Sequence, residues 1–158
     1  PYVLGGLQYA SSVGAATISI DCSPQAPISQ YAQIDLCALV GPEVITGSTR
    51  MKAGTAQKMI LNMLSTGAMI QLGKVYGNLM VDVKASNEKL RERACRIVMT
   101  AAHCGRSEAE QALRQCRGQA KTAIVMLRLR LSASEAEQCL AAHGGYISRV
   151  LKETPHDR

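Results

Sequence analysis

Only two segments of the chain have the pattern of buried β-strands, and both lie before residue 41. Ala15 to Asp21 and Leu36 to Val40 are short, apolar and bounded by turn residues. A helix is predicted before them, from about Tyr2 to Val13, and the periodicity after Ser48 is helical. Two parallel strands belong to a sheet covered on both faces, and alone they leave unpaired edges. We therefore expect an α/β fold whose sheet is completed by a preceding half of the protein, a second copy or another polypeptide.

A polar turn follows the second strand and leads into a long helix. It contains one carboxylate, Glu43, followed by hydroxyl groups and cations at Thr46, Ser48, Thr49, Arg50 and Lys52. Hydroxyls, free backbone N–H groups and cations at a helix N-terminus suit a phosphate or another anion. The helix macrodipole disfavours cations there, and a bound anion would offset them. The alternative is a capped helix whose Arg50 and Lys52 are only solvated.

The helix after this turn is predicted from about Thr49 to Leu72. Its apolar residues recur at spacings of three and four and form one stripe, which contains Ala56, Met59, Ile60, Met63, Leu64, Gly67 and Ile70. Core packing of this stripe is favoured over a plastic, methionine-rich binding groove. Lysine, asparagine and glutamine side chains make the helix amphipathic and argue against a membrane span. Gly73 is predicted to end the helix.

The rest of the sequence is predicted to form an extended arm and a set of short helices. Lys74 to Ala85 contains alternating apolar residues, and a helix capped by Ser86 or Asn87 is expected to run to about His103. Capping boxes of the form S-x-x-E begin at Ser107 and Ser132. The similar strings SEAEQAL and SEAEQCL indicate two helices of similar role in a small three-helix domain. Further helices are predicted at Gln119 to Arg130, where a strand-like alternation competes, and at Tyr146 to Lys152.

Cysteine spacing and charge narrow the classes of ligand. None of the six cysteines forms a C-x-x-C pair, so reduced, buried thiols in a reducing cytoplasm are favoured over a disulfide framework. His103 beside Cys104 has no second cluster with ligand spacing, and His156 lies in a polar tail, so no metal site is predicted. The formal charge of +6 raises the question of nucleic acid, but the chain has no Phe or Trp for base stacking. An anionic small molecule explains Arg50 and Lys52 more economically than a nucleic-acid partner.

The polar turn and its helix also carry a longer pattern. It contains Glu43, Gly47, Ser48, Arg50, Met51, Lys52 and Gly54 to Lys58, and it continues in Asn62 to Thr66. This pattern resembles the signature of the N-acetylmuramic acid 6-phosphate etherases, which also marks the glucokinase regulatory proteins. The resemblance covers nearly the whole chain, and four further segments are similar to the etherases rather than to the regulatory proteins: Gly77 to Val83, Asn87 to Leu90, Lys121 to Met126 and His143 to Gly145.

The resemblance implies a fold and an activity. The expected fold is α/β and mostly helical: the C-terminal half of a doubly wound, Rossmann-like sugar isomerase (SIS) domain at 1–73, an extended linker at 74–85, and a ubiquitin-associated-type (UBA-like) helical domain at 86–158. The implied reaction cleaves the D-lactyl ether of N-acetylmuramic acid 6-phosphate to N-acetylglucosamine 6-phosphate and D-lactate, in cell-wall recycling. It proceeds by ring opening, proton abstraction beside the aldehyde, loss of lactate and addition of water, without a metal or redox cofactor. A cytoplasmic homodimer is implied, with no membrane partner.

The resemblance also assigns roles to the residues of the turn. It implies that the chain begins after a Ser-Gly-Arg-Thr phosphate loop and after the two glutamates that perform the chemistry, so we expect the chain alone to be inactive. Glu43 is assigned an auxiliary or orienting role, and Ser48, Thr49, Arg50 and Lys52 are assigned substrate contacts. The alternative for Glu43 is an ion pair with Arg50 or Lys52. Two other functions stay open: a sugar-phosphate-binding regulatory module without chemistry, and a sugar-phosphate isomerase.

Overall fold

The computed structural model describes residues 1–153 of the chain, and the polar tail with His156 lies outside this range. The described part is an α/β structure that is mostly helical. Its elements in chain order are α1 (Tyr2–Ser12), β1 (Ile18–Asp21), a 3-10 helix (Pro27–Tyr31), β2 (Ile34–Cys37), α2 (Lys52–Gln71), β3 (Val75–Tyr76), β4 (Leu79–Met80), α3 (Glu88–Ala102), α4 (Arg106–Gln115), α5 (Ala120–Leu129), α6 (Ala133–Ala142) and α7 (Ile147–Glu153). The chain divides into two compact units, Pro1–Thr66 and the chain from Gly67 onwards.

The first unit contains a parallel pair of strands. β1 and β2 pair in a register that places Ile18 opposite Ile34 and Asp21 opposite Cys37. The second strand therefore begins and ends earlier than the predicted Leu36 to Val40, because the register with β1 decides which residues join the ladder. The buried positions of β1 are polar, and Ile18 is 40% exposed while Ile34 is 53% exposed. The two strands, which were predicted as buried, are therefore partly exposed among the described residues.

Helix α2 follows the polar turn and ends as expected at Gly73. The N–H of Gly73 donates to the carbonyl of Ile70, and the N–H of Lys74 donates to the carbonyl of Met69. This pair of bonds is a Schellman motif, in which glycine supplies the left-handed residue. No residue of α2 is buried, and Met59 and Met63 are more than half exposed, so the predicted core packing of the apolar stripe is wrong within the described residues. None of the described helices is both long and apolar enough to cross a bilayer.

A short arm opens the second unit. β3 and β4 form a two-residue antiparallel hairpin around Gly77, and Val81 and Val83 beyond it are buried. The alternation of apolar residues in this arm is thus confirmed by its burial pattern. The hairpin was not predicted, since each of its strands has only two residues.

Five helices form the core of the second unit. The central one is α5, whose Ala123, Ile124 and Val125 are fully buried against the surrounding helices. The prediction of a helix at Gln119 to Arg130 is therefore confirmed, while the prediction of three helices is wrong because α3 to α7 all contribute. The repeated strings place Ala109 of α4 and Ala136 of α6 at equivalent positions, and both alanines are completely buried.

Local capping explains where two of these helices begin. Asn87 accepts a hydrogen bond from the N–H of Leu90 at 2.9 Å and starts α3. Ser132 and Glu135 form the reciprocal capping box predicted for α6. The capping box predicted at Ser107 is wrong, because α4 begins one residue earlier at Arg106 with Gly105 as its N-cap. The serine then lies inside the first turn.

Candidate functional site

The polar turn lies in the first unit beside the carboxyl ends of the two strands. The side-chain amide of Gln57 in α2 donates to the carbonyl of Ile20 in β1 at 3.3 Å, and the thiol of Cys22 lies 3.9 Å from the carbonyl oxygen of Ala53. The first turns of α2 therefore contact the end of β1. In open α/β sheets, ligands bind outside the carboxyl ends of the strands. The turn and the start of α2 thus occupy the edge at which a ligand is expected.

Glu43 is held on the backbone at the start of α2. Its carboxylate accepts hydrogen bonds from the N–H of Lys52 at 3.1 Å and from the N–H of Ala53 at 3.0 Å. These are two of the N–H groups that have no partner within a helix. The negative charge also offsets the positive end of the helix dipole and the cations of the first turn. The Glu43 carboxylate thus occupies the N-terminus of α2, where the sequence predicted a bound anion.

These contacts keep Glu43 ionised. The hydrogen bond from Ala53 lowers the pKa of the Glu43 carboxyl below its ordinary value. Burial opposes this effect, while the N–H and the charge of Lys52 strengthen it. A carboxylate with a lowered pKa is a weak base and loses its proton at a lower pH than an ordinary carboxyl group. At neutral pH it therefore acts as a hydrogen-bond acceptor.

The side chains after Glu43 differ in their engagement. The ammonium of Lys52 donates to the carbonyl of Pro42 at 2.8 Å, which closes the turn. Among the described residues no ion pair joins Glu43 to Arg50 or Lys52. Thr49 and Arg50 are exposed and Ser48 is half-buried. Across residues 1–153, no hydrogen bond engages the side chains of these three residues, so they remain available to a ligand.

Two glycines shape the turn. Gly47 has φ +84° just before Ser48, a conformation that residues with side chains rarely adopt. The N–H of Gly54 donates to the carbonyl of Thr49 at 2.9 Å, and a Cβ at Gly54 would lie 3.4 Å from that carbonyl oxygen. The backbone from Gly47 to Gly54 is therefore folded tightly over the start of α2.

A second polar cluster at the strand ends was missed by the sequence reasoning. Asp21 accepts hydrogen bonds from the N–H of Ser23 at 3.1 Å and from the hydroxyl of Ser29 at 3.5 Å, and Asp35 accepts from the hydroxyl of Ser19 at 2.6 Å. The Asp21 carboxylate raises the pKa of the Cys37 thiol to about 11. The strand register places Ser19 opposite Asp35 and Asp21 opposite Cys37. The only sign of this cluster in the sequence was an aspartate in each of the two strands, Asp21 in β1 and Asp35 in β2.

The remaining thiols vary in exposure. All six cysteines are free; Cys95 and Cys116 are buried as expected, whereas Cys37 is exposed. Burial raises the pKa of the Cys95, Cys104 and Cys116 thiols, which keeps them protonated. Within residues 1–152 no group of three or more His, Cys, Asp or Glu side chains could hold a metal ion.

Curated relatives match the chain over almost its entire length. It is 60% identical over 151 residues to the N-acetylmuramic acid 6-phosphate etherase of Pasteurella multocida, a match that covers 96% of the chain and 50% of the relative. The etherase of Yersinia pestis (strain Pestoides F) is 58% identical over 151 residues, covering 96% of the chain and 51% of the relative. The chain is related to these etherases. It spans about half the length of the curated relatives it matches.

A family model matches the second unit. It describes the C-terminal lid domain of glucokinase regulatory protein and covers residues 77–122, from the hairpin to the first turn of α5. The etherase signature and this lid match lie in different units of the chain. The resemblance inferred from the sequence therefore has support on both sides of the division at Thr66.

Proposed function

We propose that the chain is the C-terminal half of an N-acetylmuramic acid 6-phosphate etherase. Such an enzyme would remove the D-lactyl ether and release N-acetylglucosamine 6-phosphate and D-lactate. The observation that carries the proposal is the turn after β2, which fixes an ionised carboxylate on the first N–H groups of α2 and leaves Ser48, Thr49 and Arg50 available. The names of the curated relatives point to the same activity.

Each residue of the turn has a role in this proposal. Glu43 orients the turn and does not act as the general acid, because its pKa is lowered and an acid must keep its proton near the working pH. Ser48, Thr49 and Arg50 contact the phosphorylated amino sugar through hydroxyl and guanidinium donors. Lys52 contributes charge and the two ammonium donors that its bond to Pro42 leaves free. The base and acid of the reaction come from the half of a full-length etherase that the chain does not match.

The fold proposal follows the same division. Residues 1–73 form the C-terminal half of a doubly wound sugar isomerase sheet, 74–85 a linker and 86–158 a helical domain. In support, β1 and β2 are parallel with both outer edges unpaired in the described chain, and a cleft of about 460 Å³ beside β2 is lined by Leu36, Cys37, Ile60, Met63 and Leu64. A further strand and its helix would cover this apolar surface.

We also propose a homodimer in the cytoplasm. Exposed apolar side chains on α2 favour association, since contiguous apolar surface on a soluble protein commonly marks an interface. Light scattering of the assembled enzyme tests the dimer: a mass equal to one full-length copy would contradict it.

The experiment that tests the activity uses two polypeptides. The chain and the half of the Pasteurella multocida relative that it does not match are prepared separately and then mixed. We expect D-lactate release from N-acetylmuramic acid 6-phosphate by the mixture and none by the chain alone. Turnover by the chain alone would contradict the split site. A mixture that associates by light scattering but releases no lactate would contradict the etherase proposal.

A matched pair of variants tests the turn. Arg50→Ala in the mixture removes a proposed phosphate contact, and we expect kcat/KM to fall roughly tenfold or more, as for the loss of a charge-assisted hydrogen bond. Arg93→Ala removes the same charge from an exposed position on α3 and should leave kcat/KM unchanged. Equal effects of the two substitutions on kcat/KM would contradict the proposal that the turn belongs to the substrate-binding site.

A non-catalytic sugar-phosphate-binding module is the second candidate. It is favoured by Glu43 itself, because a carboxylate already engaged by two N–H groups is better placed to fix a turn than to transfer protons. In this case the chain alone binds the sugar phosphate in a titration and Arg50→Ala abolishes that binding, whereas the mixture binds without turnover. Product analysis separates a third outcome, because a sugar-phosphate isomerase would form a ketose and no lactate.

A further inference from the structure

A groove lined by five cations runs along the second unit. Two adjoining clefts of about 380 Å³ each share Ala85, Arg117 and Gly118. The cations that line them are Lys84, Arg91, Arg114, Arg117 and Lys121, and we call this surface the basic groove. We propose that the basic groove binds a small molecule that carries phosphate, as a monoester or a diphosphate. This site is separate in the chain from the Glu43 turn, and the inference does not depend on the etherase proposal.

The cations of the groove come from different elements and lack carboxylate partners. Lys84 lies in the arm, Arg91 on α3, Arg114 on α4, and Arg117 and Lys121 at the start of α5 or just before it. In the described part of the chain, the ion pairs within 4.0 Å involve none of these five side chains. By contrast, the nearby Arg96 and Arg106 are both paired with Glu92. Five cations from four parts of the second unit thus line one groove without a carboxylate of the described chain bridging them.

Among the described residues, a single carboxylate, Asp82, lines the groove beside the five cations. Asp82 is bound by the ammonium of Lys74 at 2.9 Å. That bond lowers the pKa of Asp82, and the charges of Lys121 and Lys84 lower it further. The first turn of α5 also contains no acidic side chain. The groove therefore has a strong excess of positive charge.

The walls of the groove strengthen the electrostatic field of these cations. Ala85, Ala94 and Leu113 supply apolar surface between the cations, and clefts with low-dielectric walls focus the field of charges of one sign. The turn between α4 and α5 is fixed by a hydrogen bond from the N–H of Gly118 to the carbonyl of Leu113 at 2.7 Å. Arg117 adopts φ +55° in this turn, which a residue with a side chain rarely does. The backbone of Arg117, a residue that lines both clefts, is thus fixed by this turn.

The chemistry of the lining favours a small phosphate ligand. Arginine forks match phosphate oxygens in two-bond contacts, and three arginines line one of the clefts. The volume of each cleft falls in the range of small-molecule sites, roughly 300–1,000 Å³. Neither cleft is lined by an aromatic residue, which disfavours a single-stranded nucleic acid because its bases stack on aromatic rings.

The test is a titration of the whole chain followed by amide NMR. Inorganic phosphate, pyrophosphate and glucose 6-phosphate are added at low ionic strength, and we expect shifts at the amides of Arg117 and Gly118. The double substitution Arg114→Gln with Arg117→Gln should weaken binding roughly tenfold or more, because two charge-assisted contacts are lost. Arg93→Gln removes one exposed charge outside the groove and should change the affinity less than twofold.

A second pair of substitutions and an oligonucleotide competitor complete the test of the basic groove. If the Arg114 and Arg117 variant unfolds by circular dichroism, Lys84→Gln with Lys121→Gln replaces it as the test. Equal affinity in the wild type and in the folded variant would overturn the proposal, as would the absence of binding by any of the three phosphates. A single-stranded oligonucleotide that binds more tightly than pyrophosphate at the same salt concentration would also overturn it in favour of nucleic acid. Glucose 6-phosphate or pyrophosphate binding more tightly than phosphate identifies the monoester or the diphosphate as the ligand class.

Discussion

Gly73 follows the end of α2 and packs against the turn that precedes α7. Replacing Gly73 with alanine should destabilise the second unit. The residue is buried and has φ +66°. A Cβ at this position would lie 3.2 Å from the carbonyl oxygen of Gly145 and 3.2 Å from two ring carbons of Tyr146. The hydroxyl of Tyr146 donates to the carbonyl of Gln71, which holds the ring in place. The added methyl group therefore meets both backbone and an anchored ring.

The magnitude follows from three contributions. The left-handed conformation costs an alanine about 1–2 kcal/mol. Crowding of a packed site costs typically about 1–3 kcal/mol. The reduced freedom of the unfolded chain returns about 0.4–1 kcal/mol. We therefore expect Gly73→Ala to lower the free energy of unfolding by about 1–5 kcal/mol, with a central value of about 3 kcal/mol, a large share of the roughly 5–15 kcal/mol that is typical of a folded domain.

Gly77→Ala is the matched control. Gly77 has φ +58° in the β3–β4 hairpin, but no atom lies within 4 Å of the position that an added Cβ would take. Its substitution costs only the conformational part, about 1 kcal/mol after the unfolded chain is considered. The difference between the two variants isolates the crowding at Tyr146.

Urea denaturation followed by circular dichroism measures both variants. With a slope of about 2 kcal/mol per molar urea, a loss of about 3 kcal/mol in Gly73→Ala should lower the midpoint by about 1.5 M. Native-state hydrogen exchange at the amides of α5 assigns the loss to the second unit. If Gly73→Ala is no more destabilising than Gly77→Ala, the contact between Gly73 and Tyr146 is not a packed one, and the reasoning is refuted.

Three further outcomes are expected. Ile124→Ala in the fully buried face of α5 should cost about 2–5 kcal/mol in urea denaturation, and a cost below 1 kcal/mol would contradict the packing of that helix. Because the pKa of Glu43 is lowered from 4.5, hydrogen-exchange protection of the Lys52 and Ala53 amides should be full above pH 4.5 and fall below it, and Glu43→Gln should abolish this pH dependence. The Glu92 carboxyl is held by Arg106 at the start of α4, and its pKa measured by NMR should be about 2. Its contribution to the free energy of unfolding should be present above pH 4.5 and decline towards pH 2. A pKa near the ordinary value of 4.5 would disprove the pairing.

Local signals in the sequence predicted the helices of the second unit well. The Ser132 capping box and the Asn87 cap both involve residues three positions apart, so they form wherever the helix forms. The same rule misplaced the start of α4, because Ser107 lies one residue inside the helix. At Gln119 to Arg130 the helical spacing of Ala120, Ala123 and Ile124 outweighed the alternation of the arginines and leucines that follow.

Burial in the first unit could not be predicted from the same signals. The stripe of α2 has the spacing of a buried face, yet periodicity states only that apolar residues share a side of the helix. What covers that side depends on other elements, and no residue of α2 is buried by the described chain. In the same way, β2 spans Ile34–Cys37 instead of the predicted Leu36 to Val40, and Ile18 and Ile34, which lie opposite each other in the ladder, are both exposed.

The sequence alone determined the type of each long element, the glycine at which α2 ends and the identity of the residues in the polar turn. It did so because these properties depend on neighbours within about one helical turn. Only the tertiary structure decided which atoms meet. Glu43 lies nine residues before Lys52, and no local rule indicates that its carboxylate rather than a ligand accepts the first N–H groups of α2. The convergence of Lys84, Arg91 and Arg117 on one groove likewise depends on the packing of separate elements.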